Sequence, residues 1–183
     1  MSTSPSTFKF CKNCGTAVEL RLPDDGDSRI RAVCPSCKTV HYENPLNVVG
    51  TLPIWGEKVL LCKRNIEPRL GKWTLPAGFL EMGETLQEGA SRETVEEAGA
   101  EFELENLFSI MSVARVGQIH IFYKARLISD KFNPGYETME AKLFEEADIP
   151  WEEIAFKTVK ETLKNYFEDR KLGVFKIHQL DIH

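Results

Sequence analysis

The sequence predicts an α/β (α+β) chain in which helices sandwich a mixed sheet, with a small metal-stapled module in front. Three observations carry this expectation. Two C-x-x-C pairs stand near the start, in a stretch too short to build its own core. From Asn47 onward, apolar runs of strand length are broken by turn residues. Two longer segments repeat their apolar residues at helical spacing instead. The chain has 183 residues, 42% hydrophobic and 28% charged. That balance excludes wholesale disorder and a fibrous repeat, and the length leaves room for one catalytic-sized domain with an appendage.

Residues 1–8 read as a flexible tail rich in Ser and Thr, residues 9–42 as the appendage, and residues 43–183 as the main domain. Cys11 and Cys14 form one pair and Cys34 and Cys37 the other, with 19 residues between them. Gly15 and Pro35 supply turns that let each pair wrap one edge of a tetrahedral ion, so the spacing points to a four-thiolate zinc ribbon. All four ligands are thiolates and no coordination position stays open, which makes this zinc structural. Two disulfides are the competing arrangement. An odd count of five cysteines and the lack of a signal-like apolar stretch in MSTSPSTFKF argue against an oxidising compartment. Between the pairs, LPDDGDS is a turn flanked by AVELRL and RIRAV, which reads as a hairpin.

In the main domain, NVVGTLPIW and KVLLCKR read as strands joined at Gly56–Glu57, with Cys62 an inert core thiol. A loop with Pro68 and Gly71 leads to WTLPAG. A helix follows over 85–98, opened by a Thr85/Glu88 capping box and stopped at Gly99. Strands are expected near 102–112 and 118–128, a second amphipathic helix over 152–171 with Ala155, Val159, Leu163 and Tyr166/Phe167 on one stripe, and a last strand in VFKIHQLDI.

Charge is unevenly distributed. The protein carries 23 Lys and Arg against 28 Asp and Glu, a net −5, and residues 78–100 hold six Glu and one Arg. One segment therefore carries the whole acidic excess. On a helical wheel Glu93, Glu96 and Glu97 share an arc with Leu86, Gly89 and Ala90, so the apolar stripe runs into the carboxylates. Crowded carboxylates raise one another's pKa unless cations neutralise them, and Mg²⁺ or Mn²⁺ are the hard ions that take such oxygens and bridge to phosphates. Arg92 stands four residues from both Glu88 and Glu96 and is positioned to hold the cluster in register.

Gly78, Glu84, Arg92, Glu93, Glu96, Glu97 and Gly99 fall, in order, on G-x5-E-x7-R-E-U-x-E-E-x-G-U, where U is bulky and aliphatic. This segment resembles the Nudix hydrolases, with Thr94 and Ala100 as small residues at two U positions. The resemblance implies a loop–helix–loop against a mixed sheet, the Nudix α/β/α sandwich. It implies a divalent-metal site of Gly78, Glu93, Glu96 and Glu97, catalytic roles for Glu93, Glu96 and Glu97, and an orienting role for Arg92. The family often adds a later acidic residue, and within PGYETMEAKLF the EAKLF run favours Glu140 over Glu137.

Pairing such a box with a zinc ribbon resembles two subgroups. NADH pyrophosphatases carry an S-Q-P-W-P-F-P-x-S stretch after the box, and AEFELENLFSIMSVARVGQIHIFY here has no trace of it. NPLNVVG, VLLCKRNIEP, GKWTLPAGFLEMGET and ETMEAKLF are similar to the plant chloroplast FAD pyrophosphatase type and its bacterial relatives. That likeness implies cleavage of FAD to FMN and AMP, or of ADP-ribose. From residue chemistry alone, Arg64 is a candidate phosphate contact and Trp73 or Phe122 a candidate for stacking on a ring, against the plainer reading of a strand-end cation and core aromatics. NADH hydrolysis, RNA-end hydrolysis, and a nucleic-acid or ligand-binding module built on the ribbon are the alternatives. The net charge and a near-neutral ribbon disfavour nucleic acid as a partner. No apolar run approaches the ~18 residues of a membrane span. The cytoplasm is the expected compartment, and a homodimer is expected because so short a ribbon needs a neighbour to pack on.

Overall fold

The computed structural model describes residues 8–183, so the expected tail at 1–8 lies outside the described residues except for Phe8. The chain divides after Asn44 into two compact units. In the first, β1 (Glu19–Arg21), β2 (Arg31–Val33) and β3 (Val40–His41) form a three-stranded antiparallel sheet in that order. Its hairpin is fastened by Arg21–Asp24 at 3.0 Å and Arg31–Asp27 at 2.8 Å. Little apolar surface is buried here: Ala32 and Val33 are buried, as are Cys11 and Cys34, while Phe10, Leu20 and Ile30 stay exposed. A core this small gives little burial free energy.

The second unit is built on one mixed sheet. Its strands are β4 (Leu46–Trp55), β5 (Lys58–Arg64), β6 (Trp73–Thr74), β7 (Ala77–Phe79), β8 (Phe102–Val113), β9 (Gln118–Leu127), β10 (Thr138–Phe144) and β11 (His178–Asp181). They run β10-β5-β4-β9-β8-β11, with β6 on β5 and β7 on β4. β4 is parallel to β9 and β11 to β8, and the other pairings are antiparallel. Alternation along β9 decides the layers. Ile121 and Tyr123 pack with Val49 of β4 and with Ala90 of helix α1 (Leu86–Ala98), whereas Phe122 packs with Val159 and Leu163 of helix α2 (Lys157–Leu172). Neighbouring residues of a strand face opposite sides, so the two helices cover opposite faces of the sheet. This is the sandwich the sequence implies. Among the described residues, no helix is long and apolar enough to cross a membrane.

Helix α1 begins and ends where expected. The Thr85 side chain accepts from Glu88 N, the Glu88 side chain accepts from Thr85 N, and Gly99 closes the helix at φ +56°. Helix α2 is shorter than its periodicity suggests. Trp151–Glu153 is a 3₁₀ turn, and Ile154 bridges to Trp73 while Ala155 N donates to Trp73 O at 2.8 Å. Those backbone groups are committed to the sheet, so helix bonding starts only at Lys157. The segment 138–144 is strand β10 on the sheet edge, with a bulge between Thr138 and Glu140. β11 is held by Asp169, which is 2% exposed and accepts from Lys176 N at 3.1 Å and His178 Nε2 at 2.8 Å. Burial alone would raise the Asp169 carboxyl, but those donors and the charges of His178 and Lys176 hold it below its usual range.

Candidate functional site

Two places gather chemistry. In the first unit the four cysteine Sγ atoms all lie within 4.8 Å of one another. Three of their separations are 3.5 Å for Cys11–Cys37, 3.5 Å for Cys14–Cys34 and 3.6 Å for Cys14–Cys37. A tetrahedron with Zn–S legs of ~2.3 Å has edges of roughly 3.8 Å, so the cluster is near the size that zinc requires. Backbone N–H groups of Asn13 and Cys37 already point at Cys11 and Cys34 sulfur, which is how a thiolate cage is supported. None of the five cysteines is in a disulfide.

In the second unit a cavity of about 1020 Å³ opens beside α1. Gly78, Arg92, Glu93, Glu96 and Glu97 line one end of it, together with Arg64, Tyr136 and Glu137. Arg92 is the hub of this end. Its Nε donates to Glu84 at 2.6 Å, and its terminal nitrogens donate to Glu93 at 2.7 Å, Glu96 at 3.1 Å and Phe79 O at 3.1 Å. The expected Arg92–Glu88 pairing does not form, because the Glu88 carboxylate is taken by the helix cap. Glu84 accepts from Arg92 and from Glu81 N, and both bonds lower its pKa.

The glutamates differ in their surroundings. Glu97 is buried and accepts from Ala77 N at 3.1 Å. Burial pushes its carboxyl up to about 8, the Ala77 N–H opposes that, the charge of Glu93 adds to it, and Arg64 pulls it back. Glu93 is also raised by burial, with Arg92 working against the rise. Glu96 lies outermost and turns to Arg92. Gly78 leaves room beside them: a Cβ there would meet the Glu93 carboxyl atoms at 2.4 Å and displace that carboxylate. A buried and a half-buried carboxylate, both driven toward protonation in a cradle that a methyl group would fill, match the donor set of a hard divalent cation.

The other candidate contacts sort differently. Arg64 lines the cavity, with its Nε donating to Pro68 O at 2.9 Å and its guanidinium 5.2 Å from the Phe156 ring centre. Phe122 forms part of the cavity wall while its ring is almost wholly buried in the core. Trp73 packs edge-on to Phe144 at 4.9 Å and is absent from the lining, so its ring belongs to the core. Glu140 is exposed on β10 and does not line the cavity, whereas Glu137 does. The cause is local: a Cβ on Gly135 would meet Glu96 O at 2.2 Å, so Gly135 lets the 133–137 segment lie against the end of α1 and delivers Glu137 there. Sequence spacing alone carries no signal of that approach. The far end of the cavity, with Val113, Val116, Gln118, His120 and Thr158, had no motif to mark it.

Comparison with known proteins agrees with this geometry. A domain model described as NUDIX domain matches residues 45–169, and a zinc-ribbon model described as Nudix N-terminal matches residues 9–43. A crystal structure of a NUDIX hydrolase from Nitrosomonas europaea is 46% identical, with a TM-score of 0.89, and the match covers 96% of this chain and 100% of that one. NAD-capped RNA hydrolase NudC of Photobacterium profundum is 28% identical over 172 residues, which are 93% of this chain and 60% of that protein. Mitochondrial NAD(P)H pyrophosphatase NUDT13 of Mus musculus is 35% identical over 95 residues, 52% of this chain and 25% of its own length. The chain thus spans only part of these curated relatives. With the glutamate helix, the sandwich and both domain models in agreement, the chain belongs to the Nudix hydrolases.

Proposed function

We propose that the protein hydrolyses the pyrophosphate of a dinucleotide-type nucleoside diphosphate in a divalent-cation-dependent reaction. The observation that carries this reading is the Arg92-centred glutamate cluster at one end of a cavity large enough for two nucleoside halves. A bound Mg²⁺ or Mn²⁺ supplies charge neutralisation at the phosphoryl oxygens and acidifies water. Glu93, Glu97 and Gly78 hold the cation, with Glu96 as a further ligand or as the base that takes the proton of the attacking water. Arg92 fixes the directions of Glu93 and Glu96. Glu137, rather than Glu140, supplies the later acidic group, because it faces the same cavity. The four cysteines hold structural zinc.

For the substrate, the names of the curated relatives favour a nicotinamide dinucleotide, free or as an RNA cap, over the FAD reading. FAD or ADP-ribose stands as a second reading because this sequence lacks the S-Q-P-W-P-F-P-x-S stretch. A hydrolysis panel of NADH, NAD, FAD, ADP-ribose and NAD-capped RNA, with Mg²⁺ or Mn²⁺, separates them. Glu97→Gln should abolish turnover at an unchanged fold. Turnover retained in folded Glu97→Gln protein would overturn the metal assignment. A homodimer is part of this reading, and light scattering should then give twice the chain mass.

A further inference from the structure

The far end of the cavity contains a hydrogen-bond chain whose direction can be worked out. His120 Nδ1 lies 2.9 Å from Thr158 Oγ1, and His120 Nε2 lies 2.9 Å from Gln118 Oε1. Thr158 is 3% exposed, and its hydroxyl has no other hydrogen-bond partner among the described residues. A buried hydroxyl proton left without an acceptor costs about 1–3 kcal/mol, so the Thr158 O–H donates to Nδ1. The His120 ring, held neutral because burial lowers its pKa to about 4, then carries its proton on Nε2 and donates it to Gln118 Oε1. The amide NH₂ of Gln118 is left as the open end of the chain, and Gln118 lines the cavity.

The surroundings say what that donor can meet. Val48, Val113, Val116 and Ile182 supply apolar wall around it. Across the sheet, β4 lies between Gly78 and this end: Gly78 pairs with Val49 and Gln118 with Leu46. Two strand spacings and three residues along a strand amount to roughly 14 Å. That is about the reach from a pyrophosphate across one ribose to its base. A largely apolar wall with the Gln118 amide fixed in place, and the exposed Lys157 also among the lining residues, suits a flat, uncharged heterocycle bearing a carbonyl oxygen. Adenine has no such carbonyl.

We propose that Gln118, locked by the Thr158–His120–Gln118 chain, is the specificity-determining residue for the non-adenine base, donating from its side-chain amide to a carbonyl oxygen of that ring. The inference rests on the dinucleotide reading above and assigns the substrate's orientation: the carbonyl-bearing base lies at Gln118 and the adenylate half beyond the glutamates. Thr158 and His120 are positioning residues.

The test compares wild type, Gln118→Leu, Thr158→Val and Thr158→Ser on NADH, FAD, diadenosine diphosphate and ADP-ribose. Gln118→Leu should lower kcat/KM by about 10- to 100-fold on NADH and FAD, and leave diadenosine diphosphate and ADP-ribose within about twofold. Thr158→Val should shift the same substrates in the same direction, and Thr158→Ser should restore them. Flavin fluorescence titration of FAD without added Mg²⁺ or Mn²⁺ reads the contact without turnover and should show the same weakening. An equal loss on all four substrates, or no loss on NADH and FAD, overturns the assignment of Gln118 while leaving the dinucleotide reading intact. Wild-type protein inert on all four overturns that reading and the assignment with it.

Discussion

The signature position after Glu93 is bulky and aliphatic in the family pattern, and here it is Thr94. Its hydroxyl donates to Ala90 O at 2.8 Å and lies 2.7 Å from the Thr51 hydroxyl on β4, with both residues fully buried. Because the Thr94 proton is committed to a carbonyl, Thr51 must be the donor between them. The two single substitutions are therefore unequal. Thr94→Val strands a buried Thr51 proton and should cost about 1–3 kcal/mol, while Thr51→Val leaves the Thr94–Ala90 bond intact and should cost under about 1 kcal/mol. The double variant removes donor and acceptor together and should return to within about 1 kcal/mol of wild type. At roughly 3 °C per kcal/mol for a unit of this size, Thr94→Val should lower Tm by about 3–9 °C. Thermal and urea unfolding of the four proteins gives the cycle. Equal costs, or a double variant as unstable as the sum, would refute the donor assignment.

Other outcomes follow from single contacts. His120 is held near 4 in the fold against 6.5 when free, so the unfolded chain takes up its proton first. Its contribution to stability is present above about pH 6.5 and is lost as pH falls toward about 4; wild type should lose more Tm than His120→Asn between pH 7 and 5. Removing zinc should unfold the cysteine unit ahead of the sheet, and protease cuts should then fall within 9–43; a ribbon uncut after metal analysis reads zero would contradict the staple. Gly135→Ala should displace the 133–137 segment from Glu96 O, costing about 1–3 kcal/mol and weakening Mn²⁺ binding measured by electron paramagnetic resonance.

The sequence by itself determined the elements whose causes are local. The capping box at Thr85 and Glu88, the left-handed stop at Gly99 and the alternation along β9 each depend on residues within a few positions, so spacing specifies them. The glutamate helix and the cysteine pairs were legible for the same reason, since their signature residues recur at fixed intervals. Tertiary structure decided everything that depended on which segments meet. The start of α2 moved to Lys157 because Trp73 claims the backbone near 154–155. Arg92 chose Glu84 over Glu88 because a loop carboxylate eight residues away reaches it and the helix cap does not release Glu88. Trp73 was drawn into the core, and Glu137 replaced Glu140 at the cavity through the close approach of Gly135. The Thr158–His120–Gln118 chain joins residues up to 40 positions apart across two elements, and no local interval encodes such a contact.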